Sequence, residues 1–196
     1  MSEFNPSAPE TTGGFERDLI PEGVFPARCV RVVEIGEQFS EKYQSKSNKC
    51  LIVLSLPDIL MNFGGEEKQA HICHGFGITI SGQSKGMAEY TKALNPNGTA
   101  QNLGDFLNQP CQISVKHNKK GDKIYANIDS IAPILPNFEV PELDQPTEWL
   151  RWKQPDRAVW DNLPEWMQNK ALQATNFPGS PLEAMINQDV VDDLPM

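Results

Sequence analysis

The side chains able to do chemistry are few in this chain, and their spacing narrows what they can do. His71, Cys73 and His74 invite a metal reading. A tetrahedral site needs four ligands, however, and on a strand His71 and Cys73 point one way while His74 points the other. No metal is predicted. The histidines at 71, 74 and 117 have no Ser or Cys nucleophile motif with a third, orienting acid. The carboxylate pairs Glu66-Glu67 and Asp192-Asp193 lie in turn-like and tail-like sequence, where solvated charge accounts for them. Gly75-Phe76-Gly77 lacks the continuation of a phosphate-binding loop. The chain is expected to be no enzyme and to need no cofactor.

What remains is positive charge interleaved with rings. Lys42, Tyr43, Lys46 and Lys49 fall in one polar segment with Phe39 just upstream. A second segment carries Lys116, His117, Lys119, Lys120 and Lys123, with Tyr125 beside it and Phe76 in an earlier strand. Cations that follow phosphates and flat faces that stack unpaired bases are the two requirements for holding a single nucleic-acid strand. Arg28 and Arg31 are further candidates, but they have opposite parities on one strand, so at most one is expected to face a binding groove. The plainer alternative makes the lysines solvated turn residues and the rings core.

These segments need a scaffold, and apolar patterning supplies one. VFPARCVRVVEI (24–35) reads as a first strand, KCLIVLSLPDIL (49–60) as a second, and KQAHICHGFGITI (68–80) as a third with a glycine bend. Residues 36–49 between the first two read as a long, mobile loop. SGQSKGMAEYTKALN (81–95) has helical spacing with Ser84 as N-cap, and LGDFLNQ (103–109) adds a helical turn. CQISVKHNKKGDKIYANIDSI (111–131) alternates as a hairpin. Three strands, a helical link and two strands give the element order of a five-stranded OB-type barrel, a mainly β fold. In that fold the first and last hairpin loops flank the binding face, and both are Lys-rich here.

The domain reading is a disordered tail at 1–15, the barrel at 16–135, a Pro/Trp-rich strap with a short helix starting at Pro164 at 136–175, and an acidic flexible tail at 176–196. The formal charge of −9 follows this division. Residues 16–135 carry thirteen bases and thirteen acids, whereas residues 136–196 carry four against eleven. The barrel is therefore neutral and free to keep a basic face. Trp149, Trp152, Trp160 and Trp166 fall within 18 positions, either anchoring the strap or offering a surface for self-association. Cys29, Cys50, Cys73 and Cys111 form no C-x-x-C pair and read as buried, reduced residues. With no apolar run of membrane-spanning length and no basic or apolar leader, a cytoplasmic address is expected.

IPEGVFPARCVRVVEIGEQ (20–38), LGDFLNQPCQISVKHNKKGDKIYANIDSIAPI (103–134) and WDNLPEWMQNKAL (160–172) resemble segments of a family of bacteriophage single-stranded-DNA-binding proteins. The terminal DVVDDLPM is similar to the acidic tip of such proteins, with Met196 where Phe is usual. The resemblance implies an OB fold that coats and protects single-stranded DNA during replication, recombination or repair in a bacterial host cell. It also implies recruitment of replication or recombination proteins through Asp189, Asp192, Asp193, Leu194, Pro195 and Met196. The alternative is an OB-like interaction or host-takeover adaptor without useful DNA affinity.

Overall fold

The computed structural model describes residues 19–63 and 65–192. Residues 1–18, which include the expected disordered tail, lie outside that range, as do Gly64 and 193–196. Strand β1 (Gly23–Ser40) pairs antiparallel with β2 (Ser45–Phe63) through their shared hairpin. The expected mobile loop at 36–49 is thus mostly ladder, closed by a short turn at 41–44 in which Gln44 takes φ +46. Its polar composition reflects solvent exposure of the strand ends rather than absence of pairing.

On the other side of β1, residues 23–28 pair with β5 (Pro110–Lys120), which forms a hairpin with β6 (Lys123–Pro133). Pro110 opposite Arg28 has no N–H to donate, and the β1–β5 ladder stops there. The edge so vacated at Arg31–Val33 is taken in parallel by a three-residue strand, β7 (Glu148–Leu150). Strand β3 (Glu66–Cys73) pairs with β2, and after a turn the two-residue β4 (Ile78–Thr79) returns to β2.

The result is one seven-stranded sheet with the path β3-β2-β1-β5-β6. Among the described residues no ladder joins β3 to β6, so the sheet is open. This corrects the expected five-stranded OB-type barrel: the element order was compatible with closure, but element order does not specify which edges bond. Sequence patterning also missed β7, because a three-residue strand is too short to show a period.

Both faces of the sheet are covered, making the domain mixed α/β. On β1, Ala27, Cys29 and Val32 enter one core, while Val30, Val33 and Ile35 enter the other. Parity switches at a bulge between Cys29 and Arg31, where an extra residue lets one strand change sides. On β2, Cys50, Ile52 and Leu54 face the first core and Leu51 and Val53 the second, which explains its apolar residues of both parities. The first core is closed by α1 (Lys85–Leu94), started by Ser84, whose Oγ accepts from the Met87 amide at 3.2 Å.

The second core is closed by the C-terminal region: α2 (Arg157–Asp161), α3 (Glu165–Leu172) and α4 (Pro181–Asp192). Leu150, Trp160, Met167 and Leu182 are its buried anchors. A movable tail was expected from residue 176, yet the chain forms α4 up to Asp192 and buries Leu182 completely. Ser180 caps that helix by accepting from the Glu183 amide at 3.1 Å.

Candidate binding end of the sheet

Polar contacts hold the strap from 136 to 147 and the β7 strand that follows it, and the two candidate arginines make several of them. Arg28 donates from Nε to Pro141 O at 2.9 Å, from Nη1 to Asn108 O at 2.9 Å, and from Nη2 to Val140 O at 2.8 Å and Glu142 Oε1 at 3.2 Å. Arg31 donates from Nε to Glu148 Oε2 at 2.6 Å, and its Nη2 pairs with the same carboxylate. Both side chains are less than 15% exposed. The opposite parities of these residues predicted that at most one could serve a given face. The bulge between them cancels that difference and turns Arg28 toward the strap and Arg31 toward Glu148 of β7, so neither is available to an open groove.

Around the arginines the clamp continues. Gln69 donates from its amide nitrogen to Asp144 Oδ2 and from Nε2 to Glu142 O, both at 2.9 Å, and accepts from Ser55 Oγ at 2.8 Å. His71 Nε2 lies 3.1 Å from Gln145 Nε2; since Gln145 Nε2 can only donate, the imidazole accepts and must be neutral. Burial first, and the Arg31 charge second, lower the His71 pKa to about 4. His74 lies on the other side, edge-on to the Tyr90 ring at 5.8 Å between centroids. Among the described residues no three His, Cys, Asp or Glu side chains are placed to hold a metal ion.

The tryptophans are structural members of this region. Trp160 is buried, Trp152 and Trp166 pack on the second core, and Trp149 packs on the first while donating from Nε1 to Glu34 Oε1 at 3.3 Å. Gly36 takes φ +69, and a Cβ there would stand 2.5 Å from the Trp152 ring. Among the described residues no two of these indoles form a ring contact, and each is spent inside its own chain. The expectation of self-association through Trp149, Trp152, Trp160 and Trp166 is therefore corrected: indoles committed to intramolecular packing present no shared face.

The lysine segments are set apart by β1. Its C-terminal end carries the β1–β2 tip, where Ser40 pairs with Ser45 and Phe39 with Lys46. Lys49 pairs with Thr79 and lies 3.5 Å from Phe76 O, which brings the β3–β4 turn to the same end. Phe39, Tyr43 and Phe76 are 49%, 70% and 72% exposed. Lys42 sits over the Tyr43 ring at 5.2 Å, and Lys46 pairs with Glu37 at 3.6 Å.

The β5–β6 tip, by contrast, projects beyond the N-terminal end of β1, where Gly23 faces Val115. There Lys116 pairs with Asp129 at 2.8 Å, and this hydrogen-bonded carboxylate raises the lysine pKa. His117 Nε2 is 2.7 Å from Ile20 O. Lys119, Lys120 and Lys123 are exposed around the Gly121 turn, and Tyr125 is half-buried. The two lysine segments are thus at opposite ends of β1, in a sheet whose edges are not joined. Of the tail residues, Asp189 and Asp192 belong to α4, with side chains outside the described set; Asp193, Leu194, Pro195 and Met196 lie wholly outside it.

Comparison of the chain with known protein families and with characterised proteins yields no match. The resemblance to bacteriophage single-stranded-DNA-binding proteins is accordingly corrected, together with the DNA-coating role, the OB-like adaptor alternative and the recruitment of recombination proteins that it implied. Short blocks of shared residues were consistent with that family, but neither a whole-chain match nor a closed barrel supports them. Among the described residues no helix is long and apolar enough to cross a membrane.

Sequence reasoning missed the acids that complete the strap clamp. Glu34, Glu37 and Glu148 look like surface residues in the sequence, yet Glu34 Oε2 accepts from the Trp152 amide at 2.9 Å and Glu37 Oε1 from Thr175 Oγ1 at 2.5 Å. The available signal was their location in or beside apolar strand sequence, where an acid needs a partner.

Proposed function

We propose that the protein acts by binding rather than catalysis, and that its ligand-facing end is the C-terminal end of β1. One observation carries this reading: three largely exposed rings, Phe39, Tyr43 and Phe76, stand with Lys42, Lys46 and Lys49 on one end of the sheet. Exposed rings cost solvation without contributing to the core, and grouped aromatic side chains are typical of recognition surfaces.

The ligand that fits is a short acidic peptide segment bearing aliphatic or aromatic side chains. Its carboxylates would meet the lysines and its apolar groups the rings. A broad anionic surface fits less well, because these three lysines occupy only this end of the sheet and an extended surface also meets the rest of a chain whose formal charge is −9. The four free, buried cysteines support a reducing compartment, hence a cytoplasmic one.

Fluorescence anisotropy with a labelled peptide of alternating Glu and Phe tests the proposal. Saturable binding is expected, weakened by salt, with Tyr43→Ala and Phe76→Ala together reducing affinity by about ten-fold or more. Failure to bind, or binding indifferent to those substitutions, overturns it. Preference for anionic vesicles over the peptide would do the same and assign the end to a membrane surface.

A further inference from the structure

We propose that a polar cleft within the connection that links α1 to β5 is a binding site for a small, neutral, polyhydroxylated ligand, a saccharide or polyol. The cleft has a volume of about 590 Å³ and is formed by the connection running from the end of α1 to the start of β5. That volume suits a small molecule, whose sites commonly span ~300–1,000 Å³.

The walls are fixed before any ligand arrives. Asn95 Oδ1 accepts from the amides of Thr99 at 2.9 Å and Ala100 at 3.0 Å, which folds the segment after α1 back on itself. Asp105 Oδ2 accepts from the amides of Gln101 at 2.7 Å and Asn102 at 3.1 Å, while Asn102 Oδ1 accepts from the Gly104 amide at 2.9 Å. These reciprocal bonds define the turn at Leu103–Phe106. Gly104 packs so tightly on the Trp149 ring that a Cβ there would clash with it, which pins the turn to the sheet.

These bonds leave a specific remainder. The side-chain NH₂ groups of Asn95 and Asn102 stay available as donors. The amides of Asn97, Gln101 and Gln109, all exposed to solvent at the cleft, make no side-chain hydrogen bond to another described residue. An amide both donates and accepts, as does a hydroxyl, so a ring of vicinal hydroxyls can satisfy several such groups at once.

Charge selects against the alternatives. No lysine or arginine lines the cleft, and its single charged group is the Asp105 carboxylate, so an anion gains nothing there. A cation finds only one carboxylate, one of whose oxygens already accepts two amides. A neutral hydroxylated ligand is what the lining recognises. This site is separate from the aromatic end of the sheet and does not depend on the peptide-binding reading.

The test is titration of the ¹⁵N-labelled full chain with maltotriose, following side-chain amide signals by NMR. Saturable shifts confined to residues 95–109 are expected, with a dissociation constant in the millimolar range or tighter. Asn97→Ala and Gln101→Ala should each weaken binding by about five-fold while leaving the remaining spectrum in place. Glucose 6-phosphate should bind more weakly than glucose. Absence of saturable shifts with maltotriose up to about 50 mM overturns the proposal. So does a preference for the phosphorylated sugar, or affinity unchanged by both substitutions.

Discussion

The two faces of the sheet are closed by different physics. On the α1 side, closure is apolar: Met87, Tyr90, Ala93 and Leu94 share one core with Ile52, Leu54, Ile113 and Ile128, and among the described residues the buried Tyr90 hydroxyl has no hydrogen-bond partner. On the strap side, an apolar patch around Leu150, Trp160 and Leu182 is ringed by a polar clamp from Arg28, Arg31, Gln69 and His71 to the backbone and side chains of 140–148. An apolar lid tolerates small shifts, because dispersion and burial are non-directional. A polar clamp does not, because each buried donor left unpaired costs its full desolvation.

The clearest way to break this comparison is Arg31→Ala. It leaves the Glu148 carboxylate, only 14% exposed, without its cation. Removing one partner of a buried pair costs about 3–5 kcal/mol, and urea denaturation should show a loss of that size. Replacing both residues together, Arg31→Met with Glu148→Leu, should recover most of it. The thiols report which face opens. Cys73 belongs to the strap-side core, whereas Cys29, Cys50 and Cys111 belong to the α1-side core. Burial pushes the Cys73, Cys50 and Cys111 thiols up to about 12, so none reacts readily in the folded state. In Arg31→Ala, alkylation followed by mass spectrometry should find Cys73 modified before the other three; uniform modification would mean the faces open as one unit.

The same comparison explains what the sequence disclosed. Elements whose information is local were legible: α1 with Ser84 at its cap, the β5–β6 hairpin with its strict alternation, and α3 beginning after Pro164. Long-range decisions were not. Whether β3 meets β6 is a question of sheet curvature that no window of residues contains. The bulge between Cys29 and Arg31 reversed the parity argument for the arginines, since one inserted residue flips the side chains that follow it until the next irregularity, between Glu34 and Glu37. Of the candidate site, grouping Phe39 with Lys42, Tyr43, Lys46 and Lys49 needed only adjacency. Bringing Phe76 beside them required the β2–β4 pairing, and separating them from the second lysine segment required the β1 register.

A smaller effect sharpens the contrast through pH. His71 is neutral in the clamp, with a pKa of about 4 against an ordinary 6.5. The unfolded chain therefore binds a proton that the folded chain refuses between those two values. Stability is greatest above the ordinary value and falls as pH drops from 6.5 toward 4. At ~1.4 kcal/mol per unit the loss is at most about 3.5 kcal/mol. His71→Gln should flatten that part of the stability curve measured by thermal unfolding. An unchanged slope would locate the proton elsewhere, with His74, whose pKa burial also lowers, the next group to substitute.

The smallest expected effect lies outside both faces. Tyr43 and Phe76 are 70% and 72% exposed, and they join neither core. Replacing either with Ala should change unfolding stability by no more than ~0.5 kcal/mol, as is usual for surface positions. Rings kept in solvent without a structural role are available for a ligand, so this null effect on stability is what the binding reading requires. A loss as large as that of a core residue would instead show that the β1–β2 tip and the β3–β4 turn are braced by their aromatics, and would move those rings from recognition to architecture.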